Sequence, residues 1–582
     1  MRAFLYGLCL VALALPAVAQ APSALDTIIS DHWQWWLSKH PVSATSLGVH
    51  SYDDKLQDLS LTAADQEAAD ARALLARLNA LPSAALSTAD RTNKGVLARL
   101  LSEQIEGNRF GERMMLFSTY AGWHQSFADM AGSLPFKNRL DFENYLTRLR
   151  LYPRLNGEAI AISRRAVKQG YVQPCEALGG FENTITGAVA GDPRQTRFFE
   201  PFAHPRPARI SEGDWADLQG RAEHIITDIL VPEYKRFYIF YTTEYKPKCA
   251  RAIGVSALPQ GPAYYAFQVR AHTTTTLSPD QIHQIGLSEV TRIKARMDQV
   301  AKAAGYASRE AMIAEMRSNP KYFAHSPEAL VAAAAATAKH IDGMMPTYFK
   351  TLPRLSYGIR TIPAETAETT TTAYYGPGSP ASGLAGNFYV NTSKLNQRPL
   401  WELPALTAHE AVPGHHHQIA LQQELALPEF RKNLTGFTAF VEGWGLYAEF
   451  LGEEMGLYDT PEKMMGRLSY EMWRACRLVV DTGIHAQGWS KARAVAFMRD
   501  NTALTDANIE AEVNRYISWP GQALGYKIGE LKIRELRARA EAALGDKFDL
   551  PSFHDAILMQ GAVPLDVLDQ QIDDWIKIVK SE

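Results

Sequence analysis

Helical spacing of apolar residues dominates the chain. From Ala24 to about Arg109, Ala and Leu recur three and four residues apart, with breaks near Pro41 and Pro82 and a capping signal at Ser87. The same spacing marks further segments that we predict to be helical: 138–170, 211–240, 279–304 after Ser278-Pro279, 308–317, 326–342, and residue 400 to the end. The pattern predicts a mainly α protein.

Two threonine-rich runs, Thr273–Thr276 and Thr369–Thr372, interrupt the helical pattern. Thr, Val, Tyr and Phe favour a pleated, half-buried surface, so TTTTAYY (369–375) and the alternating GNFYVNT (386–392) predict short strands. The sequence contains no repeat of solenoid length, GxSxG elbow, Walker loop or GxGxxG. We expect a small β element beside a large helical body.

The length and charge of the chain set broad limits. With 582 residues, 46% of them hydrophobic, it could form several domains or one large one with a substantial core. The formal net charge is -3 and there is no long basic run, which argues against a nucleic-acid surface or a polybasic membrane patch. We predict one large domain over residues 20–582, with its candidate functional site in the half that begins at about residue 360.

The first residues have the pattern of a secretory signal peptide. A positive Arg2 precedes an apolar run from Ala3 to Leu15, and the small residues Ala17 and Ala19 suit cleavage before Gln20. A membrane anchor is the alternative, but the apolar run is shorter than a spanning helix and Pro16 ends it. We therefore predict a signal peptide over 1–19, a periplasmic or secreted protein and no stable membrane insertion after cleavage.

Export allows a disulfide. Cleavage would leave Cys175 and Cys249, each after a loop-like stretch with proline, and Cys476, which lies within a helical pattern. The sequence suggests a Cys175–Cys249 bridge. Three unpaired thiols are the alternative.

The stretch AHEAVPGHHHQ, residues 408–418, carries the first chemical signal. His409 and Glu410 begin like HExxH, in which two histidines one helical turn apart bind zinc, but Pro413 occupies the position of the second histidine. A proline there, followed by Gly414, should kink or bulge the helix. A bulge that accommodates two residues returns His415 to the face of His409. His416 would require a larger insertion, so we favour His415 and keep His416 as the alternative.

A third ligand is available downstream. Glu442 lies among apolar neighbours in TAFVEGWGLYAEF, where an unpaired buried carboxylate would be costly and a cation would relieve that cost. Two imidazoles and one carboxylate leave a fourth Zn²⁺ position for water, as in catalytic sites, with Glu410 as the base. Glu449, two turns later, could orient a histidine ligand. The duller alternatives are adventitious metal binding by surface histidines and a solvated glutamate.

Further polar residues could contact a substrate. Arg474, Arg477, Asp481 and His485 form one stripe on a predicted helix from about Pro461 to Gln487, either as a cleft wall or as a solvent-facing ion-pair row. Arg474 and Arg477 could bind the carboxylate of a peptide, with Arg515 and Lys527 behind them.

Two other segments could line the site. Pro520 is expected to begin a helix that carries Gln522, Tyr526 and Lys527 in its first two turns. Tyr526 or His485 has the chemistry to donate a hydrogen bond to an oxyanion. The GNFYVNT strand, with Asn387 and Tyr389, would offer its backbone to an extended peptide as edge strands do.

The motifs together resemble a known family. HEAVPGHHHQ, EGWGLYAE, RLVVDTGIH and RYISWPGQALGYKIG resemble the bacterial domain-of-unknown-function family 885, and GPAYYAFQVRAHTTTTLSPDQIHQIGLSEV and GNFYVNT extend the likeness over most of the mature chain. Members of this family resemble HExxH-type, gluzincin-like zinc metallopeptidases. The resemblance implies an elongated helical fold with a deep central cleft, similar to carboxypeptidases and oligopeptidases, and it implies that the segment of Tyr526 lies at the site.

We therefore expect an exported zinc metallopeptidase that hydrolyses short peptides, with Glu410 as the base that acts on the water. Two alternatives remain open. One is a zinc enzyme that hydrolyses a non-peptide amide, and the other is a periplasmic metal-binding protein without catalysis. The sequence predicts peptide as the partner and does not indicate an oligomeric state.

Overall fold

A computed structural model gives the architecture of residues 23–118, 121–363, 367, 370–380 and 383–582. The predicted signal peptide and Thr369 lie outside these described residues. None of the described helices is both long and apolar enough to cross a membrane. The chain is mainly helical with a small sheet, as the apolar spacing predicts.

Helices fill the first part of the chain. They are α1 (Ala24–Lys39), α2 (Pro41–Ser46), α3 (Leu61–Asn79), α4 (Thr88–Gly107), α5 (Trp123–Ala128), α6 (Arg139–Arg150), α7 (Tyr152–Gln169), α8 (Phe181–Thr186), α9 (Glu200–Ala203), α10 (Glu212–Ile225), α11 (Val231–Phe240), α12 (Gly261–Thr273), α13 (Pro279–Ala303), α14 (Arg309–Ser318) and α15 (Pro327–Tyr348).

Side-chain caps explain several helix starts. The Ser87 hydroxyl accepts a hydrogen bond from the Asp90 N–H at the start of α4, and Ser278 and Gln281 form a capping box at the start of α13. The predicted helix over 138–170 is divided at Leu151 into α6 and α7, and a π-turn, Ile226–Leu230, separates α10 from α11. The sequence pattern located these helices but missed both interruptions.

The remaining helices follow the sheet. They are α16 (Leu403–Glu410), α17 (His415–Glu424), α18 (Glu429–Asn433), α19 (Thr438–Leu451), α20 (Pro461–His485), α21 (Lys491–Asn501), α22 (Asp506–Ser518), α23 (Gly525–Leu544), α24 (Leu550–Leu558) and α25 (Leu565–Ser581). Pro520 was expected to begin a helix, and this was wrong. A turn with Gly521 at φ +83° and a 3-10 segment, Gln522–Leu524, come before α23.

The sheet has three strands: β1 (Tyr357–Thr361), β2 (Ala373–Gly376) and β3 (Gly386–Val390). Their order is β1-β3-β2, with β1 parallel and β2 antiparallel to β3. The strand in GNFYVNT is confirmed, but its predicted role as an edge was wrong because both sides of β3 pair with neighbours. Among the described strands β1 and β2 lie at the two edges of this sheet, and β2 contacts α16.

Glycines bring the helices around the centre close together. A β-carbon on Gly529 of α23 would lie 1.8 Å from the Ala439 carbonyl oxygen of α19, and one on Gly443 would lie 2.6 Å from the Gly529 backbone. Only residues without a side chain permit this approach. The glycine-rich GQALGYKIG segment therefore fixes α23 against α19, and the side chains of the two helices share one core.

A second packed region, rich in aromatic side chains, involves α5 to α11. The predicted disulfide Cys175–Cys249 is present beside it, with a Cα–Cα distance of 5.0 Å. Cys476 is a buried free thiol in α20, and burial raises its pKa. The loop pairing suggested by the sequence is thus confirmed.

Candidate metal centre

The segment Ala411–Gly414 ends one helix and begins another. The Ala411 backbone leaves the helical region at φ −98° and ψ −111°, and the chain resumes as α17 at His415. A β-carbon on Gly414 would lie 1.9 Å from the His409 carbonyl oxygen, so only glycine fits there. The indole N–H of Trp444 donates to the Pro413 carbonyl at 2.8 Å and secures the turn.

This break brings His415 back beside His409. Their rings lie 4.7 Å apart between centroids, almost perpendicular at 87°. Glu442 Oε2 lies 3.5 Å from His409 Nε2 and 3.4 Å from His415 Nε2. One donor atom from each of the three residues therefore falls within 4.8 Å of the others.

The donor set fits a divalent cation such as Zn²⁺. Two imidazole nitrogens and one carboxylate oxygen are the ligands of open zinc sites. Glu442 Oε2 and His415 Nδ1 are buried, and neither atom has a hydrogen-bond partner among the described residues. The side chains of His415 and Glu442 keep 11% and 19% exposure, so the cluster has access to solvent.

The EGWG motif of α19 combines several functions in four residues. Glu442 supplies the carboxylate, Gly443 packs on α23, and Trp444 bonds the turn before α17. Gly445 leaves room for the imidazole, because a β-carbon there would lie 2.7 Å from His409 Cε1. The motif therefore positions the carboxylate and the first histidine together.

A buried chain of charges orients His409. Its Nδ1–H donates to Glu449 Oε1 at 2.8 Å, and Arg474 Nη2 lies 3.2 Å from the same oxygen. This bond fixes the tautomer that presents Nε2 to the cluster. Glu449 thus orients a histidine, as the sequence suggested, and Arg474 is neutralised by that carboxylate.

The charges of the cluster favour a cation between the two imidazoles. Burial alone would lower the pKa of His409, but Glu442 and Glu449 outweigh it and raise that pKa to about 9. Burial likewise opposes ionisation of Glu442, yet His409 and His415 hold its pKa well below the usual range. A metal ion bound to the same three residues would satisfy the same electrostatic demand.

Glu410 and Tyr526 border the cluster. Glu410 is the half-buried last residue of α16, and its charge contributes to the raised pKa of His409. The Tyr526 ring stacks on His409 with centroids 6.3 Å apart, and Arg477 covers the phenol ring at 4.2 Å. Burial and the charge of Glu442 raise the pKa of Tyr526. The phenol therefore stays protonated and can donate.

The polar stripe on α20 is buried, so it is not a solvent-facing row. Arg477 donates to Tyr516 Oη and to Glu512 Oε2, both at 3.1 Å. Asp481 accepts from the Tyr265 hydroxyl at 2.6 Å and the Gly521 N–H at 3.1 Å, and burial raises its pKa to about 7.

His485 is not brought to the cluster. The Val255 N–H donates to its Nδ1 at 3.1 Å, and its Nε2–H donates to the Tyr516 carbonyl at 2.9 Å. Burial lowers its pKa to about 4. With both ring nitrogens occupied, His485 is a core residue and cannot serve as the oxyanion donor predicted from the sequence.

His416 faces away from the other ligand candidates. Its Nε2–H donates to the Leu355 carbonyl at 3.0 Å, and its Nδ1 accepts from the Tyr375 hydroxyl at 3.0 Å.

Lys527 is fully buried, and Glu289, Glu471 and Glu530 surround its ammonium at 2.8 to 2.9 Å. Its charge is therefore already compensated and is not available to a substrate.

The two residues of β3 that were predicted to contact a substrate, Asn387 and Tyr389, contact other residues of the protein. Asn387 donates to the Ala385 carbonyl at 3.2 Å, and Tyr389 stacks on Tyr374 at 4.8 Å. Both are half-buried on β3, whose backbone is paired on both sides.

Sequence reasoning missed Trp444, Gly445 and Glu512. Each is close in sequence to a residue that was predicted for the site, but only the fold shows which side chain or backbone group it contacts. The glycine and tryptophan within EGWG were the one local signal that something packs closely there.

The fold and the cluster define a class: a mainly helical protein with a largely buried cluster of two histidines and one glutamate that keeps some access to solvent. The chain belongs to the family described as bacterial protein of unknown function (DUF885), whose model matches residues 41–572. A search of curated proteins gave no match.

The solved structures that resemble this chain include two that are each described as a "putative lipoprotein". A "putative lipoprotein" from Colwellia psychrerythraea is 27% identical, with a TM-score of 0.89 over 96% of this chain and 100% of that one. A "putative lipoprotein of unknown function" from Shewanella oneidensis is 19% identical, with a TM-score of 0.72 over 94% of this chain and 99% of that one, and its likeness concerns the fold alone.

Loss of a residue that only hydrogen-bonds a metal ligand typically weakens metal binding by roughly 10- to 100-fold, and we predict an effect of this size for Glu449→Gln. We predict a larger loss of zinc affinity for each ligand variant: His409→Ala, His415→Ala and Glu442→Gln. His416→Ala is the control and should retain zinc. Metal analysis after dialysis against a graded zinc buffer, with circular dichroism to check folding, measures this. Full zinc occupancy in the His409 and Glu442 variants would contradict the ligand set. Loss of zinc in His416→Ala but not in His415→Ala would show that His416, and not His415, is the second histidine ligand.

Proposed function

We propose that this protein is a zinc-dependent metallopeptidase that hydrolyses short peptides. One observation carries the proposal: a solvent-accessible set of two imidazoles and one carboxylate is bordered by a further carboxylate, Glu410, and by a phenol, Tyr526. Three protein ligands leave a position for water. A site that only stores metal needs neither the base nor the donor.

Zinc bound at this centre would supply a water of lowered pKa and polarise the scissile carbonyl. Glu410 would accept a proton from the attacking water and deliver it to the leaving nitrogen. The Tyr526 hydroxyl donates to the carbonyl oxygen as negative charge develops on it. Glu449 holds His409 in one tautomer, with Arg474 compensating its charge.

The buried cations differ in what they can offer a substrate. Arg474 is paired with Glu449, and Lys527 lies among three glutamates. Arg477 and Arg515, in contrast, share the single carboxylate of Glu512. Arg477 Nη1 and Arg515 Nε are buried and have no hydrogen-bond partner in the described part of the chain.

This pair therefore carries one positive charge in excess beside Tyr526. Both arginines hold the pKa of Glu512 down to about 2 although burial opposes its ionisation, so Glu512 remains charged and the excess persists. Guanidinium suits a carboxylate better than ammonium does. We propose that Arg477 and Arg515 attract the C-terminal carboxylate of the peptide, which makes cleavage start from the C-terminus.

We also propose that the protein is exported to the periplasm or cell envelope. The signal-like first residues and the Cys175–Cys249 disulfide support this, since disulfides persist in oxidising compartments. The lipoprotein descriptions of the two similar structures agree with it.

We predict that Glu410→Gln keeps zinc and lowers kcat by about 10²- to 10⁴-fold, because the amide cannot accept the proton of the water. Peptide hydrolysis by the zinc-loaded variant, followed by mass spectrometry, measures the effect. Glu429→Gln on the protein surface is the control. Normal turnover in Glu410→Gln would show that Glu410 is not the base. Zinc binding by the unaltered protein without hydrolysis of any peptide in a mixed library would favour a metal-binding protein or an enzyme that hydrolyses non-peptide amides.

We predict that Tyr526→Phe lowers kcat by about 10²- to 10³-fold, since one oxyanion donor is lost. KM and the melting temperature should change little because only the hydroxyl is removed. Steady-state kinetics and thermal melts separate these effects, and Tyr374→Phe is the matched control. A variant with near-normal kcat, or with thermal stability as its main defect, would assign the phenol a structural role.

We predict that amidation of the peptide C-terminus lowers kcat/KM by about 10- to 100-fold, the value of one charged hydrogen bond. Arg515→Gln should remove most of this preference, whereas Arg534→Gln, whose partner is Glu530, should keep it. Paired free-acid and amidated tetrapeptides provide the measurement. Equal rates for both forms with the unaltered protein would indicate an aminopeptidase or an endo-acting oligopeptidase.

A further inference from the structure

A buried carboxylate without a partner lies far along the sequence from the metal ligands. Glu112, in the short 3-10 segment Gly111–Met114, is 7% exposed. Among the described residues, neither oxygen of its side chain has a hydrogen-bond partner. Every other buried glutamate named above faces a cation or a metal-site histidine, so Glu112 stands apart.

Glu112 borders a cavity of about 380 Å³. Most of the lining residues are apolar or aromatic, among them Leu116, Phe117, Val172, Ile253, Tyr264 and Pro520, and polar atoms contribute nearly half of the lining surface. The volume is comparable to that of small-molecule sites, which combine apolar walls with a few polar groups. An unpaired carboxylate in such walls is costly unless an occupant supplies a charge or a hydrogen bond.

The surroundings favour a positively charged occupant. Burial outweighs the opposing effect of the Glu112 backbone amide and raises the pKa of its carboxyl to about 7, and no charged side chain of the described residues contributes. Tyr171 and Tyr264 lie close enough for Glu112 to raise the pKa of each phenol. Arg251 also borders the cavity but is exposed and forms no ion pair within the described chain.

We propose that this cavity binds an organic cation, namely a protonated amine attached to an apolar or aromatic group, with its ammonium on the Glu112 carboxylate. A single carboxylate is too small a donor set for a metal ion, which requires several ligands. Both carboxylate oxygens are shielded in this structure, so the Glu112 side chain has to turn toward the cavity for an ammonium to reach them, and the apolar substituent then packs on the walls. The site is independent of the proposed zinc chemistry.

The cavity also adjoins elements that support the metal centre. Its wall includes Ile517 and Ser518 at the end of α22 and Pro520, directly before Gly521 and Gln522. Gly521 donates to Asp481, and Gln522 accepts from Arg515 at 2.9 Å. An occupant would therefore contact the segment that leads to Arg515 and Tyr526.

Benzylamine is a suitable probe and benzyl alcohol is its neutral counterpart. We predict that calorimetry at pH 8 detects benzylamine binding to the whole protein, and that Glu112→Gln weakens it by about tenfold or more. Arg251→Ala is the control and should bind benzylamine at least as well. The His409→Ala variant should bind it equally, which separates this site from the zinc-dependent one.

The pH dependence has a definite sign. The pKa of the Glu112 carboxyl lies near 7 in the empty cavity, whereas the amine stays protonated below pH 8. The carboxylate form is therefore lost as the pH falls, and benzylamine binding should weaken from pH 8 to pH 5.5 in the unaltered protein.

Several results would overturn the proposal: equal binding by Glu112→Gln, equal binding of benzyl alcohol, no benzylamine binding at millimolar concentration at pH 8, or loss of binding in His409→Ala. Thermal melts accompany each measurement. Because Gln preserves the shape of Glu112 and the buried acid lacks a partner in the empty protein, the variant should remain folded.

Discussion

The approach of Gly414 to the carbonyl of His409 is the contact on which the site depends. Residue 414 has no room for a β-carbon, because one would lie 1.9 Å from that oxygen and 2.4 Å from the Ala408 carbonyl. This closeness allows α16 to end and α17 to begin within four residues. His415 then returns to the face of His409, although the proline excludes the regular helix that would place ligands four residues apart.

A second set of close contacts carries this geometry across the core. Gly445 makes room for the His409 ring, and Gly443 meets Gly529 at the crossing of α19 and α23. Tyr526 lies one turn before Gly529 on α23. The distance between the two histidines, the carboxylate and the phenol is thus fixed by backbones in contact, which is a stiffer constraint than contacts between long side chains.

Buried charge then distinguishes structural residues from residues that can act. Charge buried without compensation is costly, so most of the buried ions here are balanced within a few ångströms. Arg474 has Glu449, and Lys527 has three glutamates. Three imbalances among the described residues lie at a candidate site: Glu442, whose Oε2 faces the two histidines, the two arginines that share Glu512, and Glu112, which has no partner beside its cavity. Each of them is a place where a metal, a substrate or a small ligand would restore the balance.

The sequence by itself determined the mainly helical class, most helix positions, the β3 strand and the group of residues around 409–442, because apolar periodicity and the chemistry of His, Glu, Pro and Gly are local properties. It also selected the cysteine pair correctly. The interruption at Leu151 was missed although Pro153, in the first turn of α7, is a local signal for a new helix, whereas the turn after Pro520 depends on Gly521 with a positive φ. The central position of β3 was not visible in the sequence, because it depends on strand pairing.

Only the tertiary structure separated residues that look alike in sequence. His415 and His416 are neighbours, yet one faces Glu442 and the other bonds to Leu355 and Tyr375. Arg477 and His485 share a helix face, but His485 is held by two backbone groups while Arg477 lies over Tyr526. Helical spacing shows only on which side of a helix a side chain lies. The group that it contacts comes from another part of the chain, and that group decides whether a buried polar side chain already has its hydrogen bonds.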